Sequence, residues 1–225
     1  MIADIAHTGI MRVGVMSGAA EMLAFLQTRP TYPGHVKGAS VAAQPAGSST
    51  CWAPEDVLRA PYFFEFALKF AGDVNEYLGQ PGLLYSVNAF TTYPLNGPPN
   101  PDIQDWHRDK DDVRFMALFV YLTDVLYENA GAHLFQEGTQ HGAEHGITCA
   151  ICGPAGTAFL ADTRGIHMGV RPAYVPRTMA WARWGVSDPP ASYRWDKQQP
   201  CSKDVLGDRY PSDPVLRESI RLVVA

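Results

Sequence analysis

The chain is poor in cysteine, with four in 225 residues. That is too sparse for a disulfide framework and fits a reducing compartment. It also lacks a long apolar run. The longest, Phe115 to Leu122, falls well short of the roughly 20 residues that cross a bilayer. Asp4 stands near the N-terminus with no basic segment ahead of an apolar one, so no secretory signal is read there. Basic excess is missing as well. A net charge of -5 argues against the concentrated positive surface that nucleic acid requires. No internal repeat or low-complexity tract is visible. The expectation is a soluble, cytoplasmic protein with neither membrane nor nucleic acid as partner.

The composition is 46% hydrophobic, enough for a sizeable core, and the length fits one domain over 1–225. Ile10 to Val15 reads as a strand. Ser17 could cap a helix running to about Arg29, where Pro30 ends it. The stretch from Gly34 to Ala53 is rich in Gly, Ala and Ser without period and reads as a loop. A helix is predicted from Pro61 to Leu78, with Phe63, Ala67, Phe70, Val74 and Leu78 forming a packing stripe and Gly79 ending it. After Gly82 the texture changes. LLYSVNAF, RFMALFVYL, AHLFQ, GITCAIC, GTAFLA and RTMAWARWGV are short strand-like runs bounded by turn residues, with no helices between them. Such a series implies an antiparallel barrel or sandwich. Pro94 to Asp102 is too proline-rich for regular structure and, like 34–53, reads as a loop able to close over a site. Beyond Ser187 only Asp213 to Val223 looks helical, capped by Asp213.

DWHRDKDDVRF, from Asp105 to Phe115, crowds ionisable groups at the mouth of a strand. On an extended chain residues i and i+2 share a face, so His107 and Asp109 project together with Cα atoms roughly 6.6 Å apart. Asp111 has the same parity but lies roughly 13 Å from His107, beyond the reach of a shared ion. An HxD pair alone is weak, and a third ligand is needed. His167 follows a predicted strand, where an antiparallel barrel can return it to the pair. Two histidines and one carboxylate on one face leave the other face of an octahedral ion open, the arrangement of non-haem Fe(II) oxygenases.

QDWHRD (Gln104 to Asp109), YLTDV (Tyr121 to Val125), NAGAHLFQEGT (Asn129 to Thr139), GPAGTAFLADTRGIH (Gly153 to His167) and Arg177 follow in the order and spacing of the phytanoyl-CoA dioxygenase-like family of Fe(II)/2-oxoglutarate oxygenases. The resemblance covers about 83–186. It implies a double-stranded β-helix, the cupin-like jelly roll, with N-terminal helices packed outside. It also implies Fe(II) bound by His107, Asp109 and His167, with 2-oxoglutarate and O2 as co-substrates. Arg177 resembles the family's anchor for the distal carboxylate of 2-oxoglutarate, a role that suits a bidentate guanidinium. Gln104 matches a family position near the co-substrate. The activity implied is hydroxylation of a C–H bond in a small-molecule substrate, with release of succinate and CO2. Family relatives that halogenate lack the carboxylate that Asp109 supplies.

Three positions depart from the family pattern. EGTQ (Glu137 to Gln140) replaces PGSH. Gly169 stands where a serine often helps Arg177, and no segment carries a coenzyme A signature. Rival readings attach to other residues. HGAEH (His141 to His145) matches the H-x-x-E-H pattern of inverted zinc peptidases, which needs a helix, yet Gly138, Gly142 and Gly146 surround it. CAIC (Cys149 to Cys152) lies in a predicted strand, where residues three apart face opposite ways, and reads as structural. A non-catalytic jelly roll that binds a ligand is the remaining alternative. His7, His35 and His133 read as surface or satisfied groups. Arg183 shares parity with Arg177 and reads as a salt bridge at the barrel end or a contact for an anion. Asp111, Asp112 and Arg114 read as a solvated or paired edge.

Overall fold

The computed structural model describes residues 2–34, 49–94, 104–188 and 200–225. In chain order the elements are α1 (Ile2–Thr8), β1 (Ile10–Val15), α2 (Ala19–Gln27), β2 (Thr31–Pro33), β3 (Ser49–Trp52), α3 (Pro54–Arg59), α4 (Phe63–Leu68), α5 (Ala71–Leu78) and β4 (Leu83–Thr92). They continue with β5 (Phe115–Tyr121), β6 (His133–Gln136), β7 (Thr148–Ile151), β8 (Thr157–Ala161), β9 (His167–Gly169), β10 (Arg177–Gly185) and α6 (Pro214–Ile220). Two antiparallel sheets result, a seven-stranded one in the order β1-β8-β5-β10-β4-β3-β2 and a three-stranded one in the order β7-β6-β9. This is the jelly-roll class expected from the series of short strands.

The continuous apolar runs have a simple origin. The large sheet is covered on both faces, so both parities of its strands are buried. From β5, Met116, Leu118 and Val120 join the outer cluster with Ala180, Ala182 and Trp184 of β10. They pack there against Met22, Leu26, Leu58, Phe63, Phe64, Val74 and Leu78 of the helices. The alternate residues Phe119, Tyr121, Met179 and Trp181 turn inward and meet Leu134, Phe135 and Ile151 of the small sheet. Ile220, Val223 and Val224 also join the outer cluster, so the cover is C-terminal as well as N-terminal. Burying a large apolar side chain of this kind is worth about 1.5–3 kcal/mol.

Several expected boundaries differ. The helix through 61–78 is two helices, α4 and α5, meeting at Lys69 and Phe70. The apolar stripe continues across the break because both pieces pack on one sheet. Gly79 ends α5 at φ 72, as its position suggested. The second helix starts after Gly18, without a side-chain cap, and stops at Gln27. Ser49–Trp52 is a strand paired with β2 and β4, where the sequence reads as loop. Residues 35–48 and 95–103, which hold most of the two loops expected to close over a site, lie outside the described residues. Asp213 caps α6 by accepting from the Val215 N–H.

A register shift between β10 and β4 places one extra residue, Tyr85, between the partners of Arg183 and Trp184. This bulge matters locally. It keeps Ser86, Asn88, Phe90 and Thr92 on the inner face and sends the buried Tyr85 hydroxyl to Asp111 Oδ2 at 2.8 Å.

Candidate metal centre

His107 and His167 are sixty residues apart in sequence and directly paired in the fold. Each backbone N–H donates to the other's carbonyl, at 3.0 and 2.9 Å. Two residues on, the Asp109 N–H donates to Thr163 O at 2.8 Å. The segment carrying His107 and Asp109 is therefore an isolated bridge to the His167 turn rather than the strand expected. The i, i+2 relation survives because the chain is extended there. His107 Nε2 lies 3.6 Å from Asp109 Oδ1, and His167 Nε2 lies 3.7 Å from Asp109 Oδ2. The three side chains are the one group among the described residues whose ligand atoms gather within 4.8 Å.

The second nitrogen of each imidazole fixes what the first can do. His107 Nδ1 sits 2.8 Å from Asp105 O and His167 Nδ1 sits 2.9 Å from Gly165 O. A carbonyl only accepts, so in the neutral ring Nδ1 carries the proton and Nε2 is left with the lone pair. Those lone pairs and the Asp109 carboxylate face one another. Burial pushes the His167 pKa down to about 4, with the Asp109 charge opposing, so the ring is neutral near pH 7. For Asp109, burial pushes the carboxyl up, but Arg183 and the two imidazoles outweigh it and hold the pKa below the usual range. The donor set of two imidazole nitrogens and one carboxylate oxygen suits a divalent transition metal with open positions.

The three side chains rest on a tied framework. The Arg108 guanidinium, between His107 and Asp109 in sequence, donates to Thr139 O (2.5 Å), Arg164 O (2.7 Å) and Ala143 O (2.6 Å). Asp162, fully buried, accepts from Tyr77 Oη at 2.7 Å and from Arg164 through two nitrogens. Gly165 makes the turn before His167 possible. A Cβ there would stand 2.3 Å from the Phe135 ring.

The triad opens on a cavity of about 80 Å³ lined also by Phe90, Phe119, His133, Gly169, Arg177, Met179, Trp181 and Arg183. Arg177 is 4% exposed. It donates to Gly131 O at 2.8 Å and to Thr92 Oγ1 at 3.0 Å, while its Nε has no hydrogen bond. No carboxylate pairs with it among the described residues. A buried cation without a counter-charge is costly, so the arrangement suits an anionic ligand. Thr92, across the ladder from Arg177, provides a hydroxyl that Gly169 does not.

Not every expected residue enters the cavity. Gln104 is buried, but its amide oxygen accepts from Arg171 Nε at 2.9 Å, and it does not line this space. Arg183 is a salt-bridge residue, though its partners include a ligand: it lies 3.1 Å from Asp109 Oδ2 and 2.5 Å from Asp111 Oδ2. Asp112 is paired rather than solvated, accepting from the N–H groups of Val113, Val186 and Ser187. His35 lies outside the described residues and His7 is exposed. His133 corrects the reading of it as a surface or satisfied group. It is 6% exposed, its Nε2 has no hydrogen bond, and its ring stacks on His167 at 5.3 Å and 12°. Burial holds it well below the ordinary histidine pKa. Its parity with Phe135 was the available sequence signal. The HGAEH stretch forms a short 3-10 turn and an exposed loop, not a helix, and His141 Nε2 meets Ala6 O at 2.8 Å. Cys149 and Cys152 are free and partly buried at the edge of the inner cluster.

No family model matches the chain, and no curated protein matches it. Solved structures do. The non-haem α-ketoglutarate-dependent epimerase SnoN from nogalamycin biosynthesis aligns with a TM-score of 0.60 at 18% identity, over 81% of this chain and 80% of that one. The carbocyclase SnoK from the same biosynthesis gives 0.59 at 15%, over 81% of each chain. HygX from Streptomyces hygroscopicus, with nickel and 2-oxoglutarate bound, gives 0.58 at 15%, over 86% of this chain and 92% of that one. The chain has their fold. Among the described residues no helix is long and apolar enough to cross a membrane.

Proposed function

We propose that this protein is an Fe(II)- and 2-oxoglutarate-dependent dioxygenase of the phytanoyl-CoA dioxygenase-like kind, one catalytic domain that hydroxylates a C–H bond of a small molecule in the cytoplasm. One observation carries the reading. A three-ligand set with free lone pairs and a buried guanidinium without a counter-charge open on the same cavity. A zinc site of structural type would want a fourth protein ligand, and a purely structural Arg177 would want a carboxylate. The neighbours' bound groups accord with this, since HygX holds a metal and 2-oxoglutarate. Two of these proteins also hold small molecules, hygromycin B in HygX and nogalamycin RO in SnoN.

His107, Asp109 and His167 would hold the ion, and Arg177 with Thr92 would fix the far carboxylate of the co-substrate. When bound, these groups supply the oxidising power: 2-oxoglutarate is decarboxylated to succinate while O2 provides the oxygen that enters the substrate. The chain's own contribution is orientation and dryness. Phe90, Phe119, Met179 and Trp181 wall the cavity with apolar surface, which excludes water from the reacting groups. His107, Asp109 and Arg183 keep some exposure, whereas His167 and Arg177 are buried. Substrate therefore approaches past the first three.

Anaerobic titration of the protein with Fe(II) and 2-oxoglutarate should produce a metal-to-ligand charge-transfer band. Succinate should then form under O2, faster with the right substrate. A protein that gives no band and no affinity for 2-oxoglutarate would be a ligand-binding jelly roll instead.

A further inference from the structure

We propose that His133 is a further co-substrate-binding residue, its imidazole N–H donating to the distal carboxylate of 2-oxoglutarate beside Arg177; this rests on the function proposed above. Buried polar atoms without partners are uncommon, because leaving their hydrogen bonds unmade is costly. His133 Nε2 and Arg177 Nε are both such atoms, on residues that line this cavity. Both residues are buried, at 6% and 4% exposure. A carboxylate has two oxygens, and two donors from different strands can each take one.

The backbone places His133 for this role. It begins β6 two residues after Gly131, whose carbonyl accepts from Arg177. Gly131 adopts φ 100, and a Cβ there would stand 3.1 Å from Arg177 Cδ. Across the ladder His133 faces Gly169, which offers no side chain. The ring is clamped between Phe119, at 4.9 Å, and Phe159, at 5.4 Å. The His133 backbone N–H donates to Tyr121 Oη at 2.9 Å, and that hydroxyl donates to Ile151 O. A side chain held this firmly, with its polar tip unused, is preorganised for a ligand.

The test compares two co-acids, 2-oxoglutarate and 2-oxobutyrate, which share the metal-chelating end and differ in the distal carboxylate. Each is titrated anaerobically into the Fe(II)-loaded protein, with the charge-transfer band as readout, for the unmodified chain, His133→Leu and His133→Gln. For His133→Leu the dissociation constant for 2-oxoglutarate should rise about tenfold to a hundredfold, and that for 2-oxobutyrate should change less than threefold. His133→Gln, which keeps a donor, should recover part of the loss. Fe(II) affinity and thermal midpoint report whether the site stays built. Equal loss for both co-acids, or no loss for either, overturns the inference. A band absent from the unmodified chain overturns the proposed function, and this inference with it.

Discussion

DWHRD (Asp105 to Asp109) and HGAEH (His141 to His145) hold nearly the same stock of metal-binding side chains, yet one forms a ligand cluster and the other a loop. The difference is in the backbone. His107 and Asp109 are tied through their own N–H groups to the turn that presents His167. Their side chains have no freedom to diverge. HGAEH has glycine at 142 with φ 97, is exposed along its length, and spends a histidine nitrogen on Ala6 O. Arg108 joins the two regions, since it holds Ala143 O and Arg164 O at once. The second stretch thus acts as a strut beside the first. Side-chain inventory nominates a site, and main-chain pairing decides it.

The largest expected effect would break this comparison outright. His107→Ala or Asp109→Ala should lower Fe(II) or Co(II) affinity by at least about a hundredfold, as the loss of one of three ligands requires. His141→Ala and His145→Ala should leave it within about threefold. Metal content after dialysis against a fixed free-metal buffer measures both. Metal lost from His141→Ala and kept by His107→Ala would reverse the assignment.

Next comes pH. The folded chain holds His167 neutral down to about pH 4, against an ordinary value of 6.5. Between those values the unfolded chain binds the extra proton, so stability of the metal-free protein rises with pH across that window and is lost as pH falls through it. For His167 alone the change is about 3 kcal/mol, with His133 adding in the same direction. Urea midpoints from pH 7 to pH 4 should show the slope, and His167→Asn should flatten it. A variant slope equal to that of the unmodified protein would refute the burial argument for this ring.

Arg108→Ala should weaken metal binding by about tenfold to a hundredfold, the range usual for groups that orient ligands. It should also speed proteolysis of 139–146, since Thr139 O and Ala143 O lose their donor. Arg108→Lys should not restore the affinity, because an ammonium cannot reproduce the guanidinium's planar fork to three carbonyls. Recovery by lysine would mean that charge alone matters.

Elements with a local signal are legible in the sequence. Six strands after Gly82 are legible because each is a short apolar run closed by turn residues, and the HxD pair because extended backbone puts i and i+2 on one face. Elements whose cause lies elsewhere in the chain are not. Between Pro61 and Leu78 only Gly72 hints at the break at Lys69 and Phe70, and it lies inside α5, while the apolar spacing runs on because it is set by the sheet beneath. Ser49–Trp52 becomes a strand only by pairing with β2 and β4. His133 reads as a surface or satisfied group because its burial comes from Phe119 and Phe159, neither of them near it in sequence. The bond from Arg108 to Arg164 O joins residues 56 apart.

The smallest effects separate the two regions by glycine. Gly165 and Gly142 both sit in turns flanking histidines, but for different reasons. At Gly165 the obstacle is space, since an added Cβ meets Phe135 Cζ at 2.3 Å. That ring packs beside His167 and cannot yield without disturbing it. Gly142 has nothing within 4 Å, and its obstacle is backbone conformation alone. Gly165→Ala should therefore cost about 1–3 kcal/mol by overpacking and weaken metal binding together with stability. Gly142→Ala should cost about 1 kcal/mol from its left-handed φ and leave metal affinity unchanged. Urea denaturation with and without Co(II) distinguishes them: the stabilisation gained from the metal should shrink in the first variant and persist in the second. Equal gains would mean that the turn ahead of His167 can shift without moving its ring.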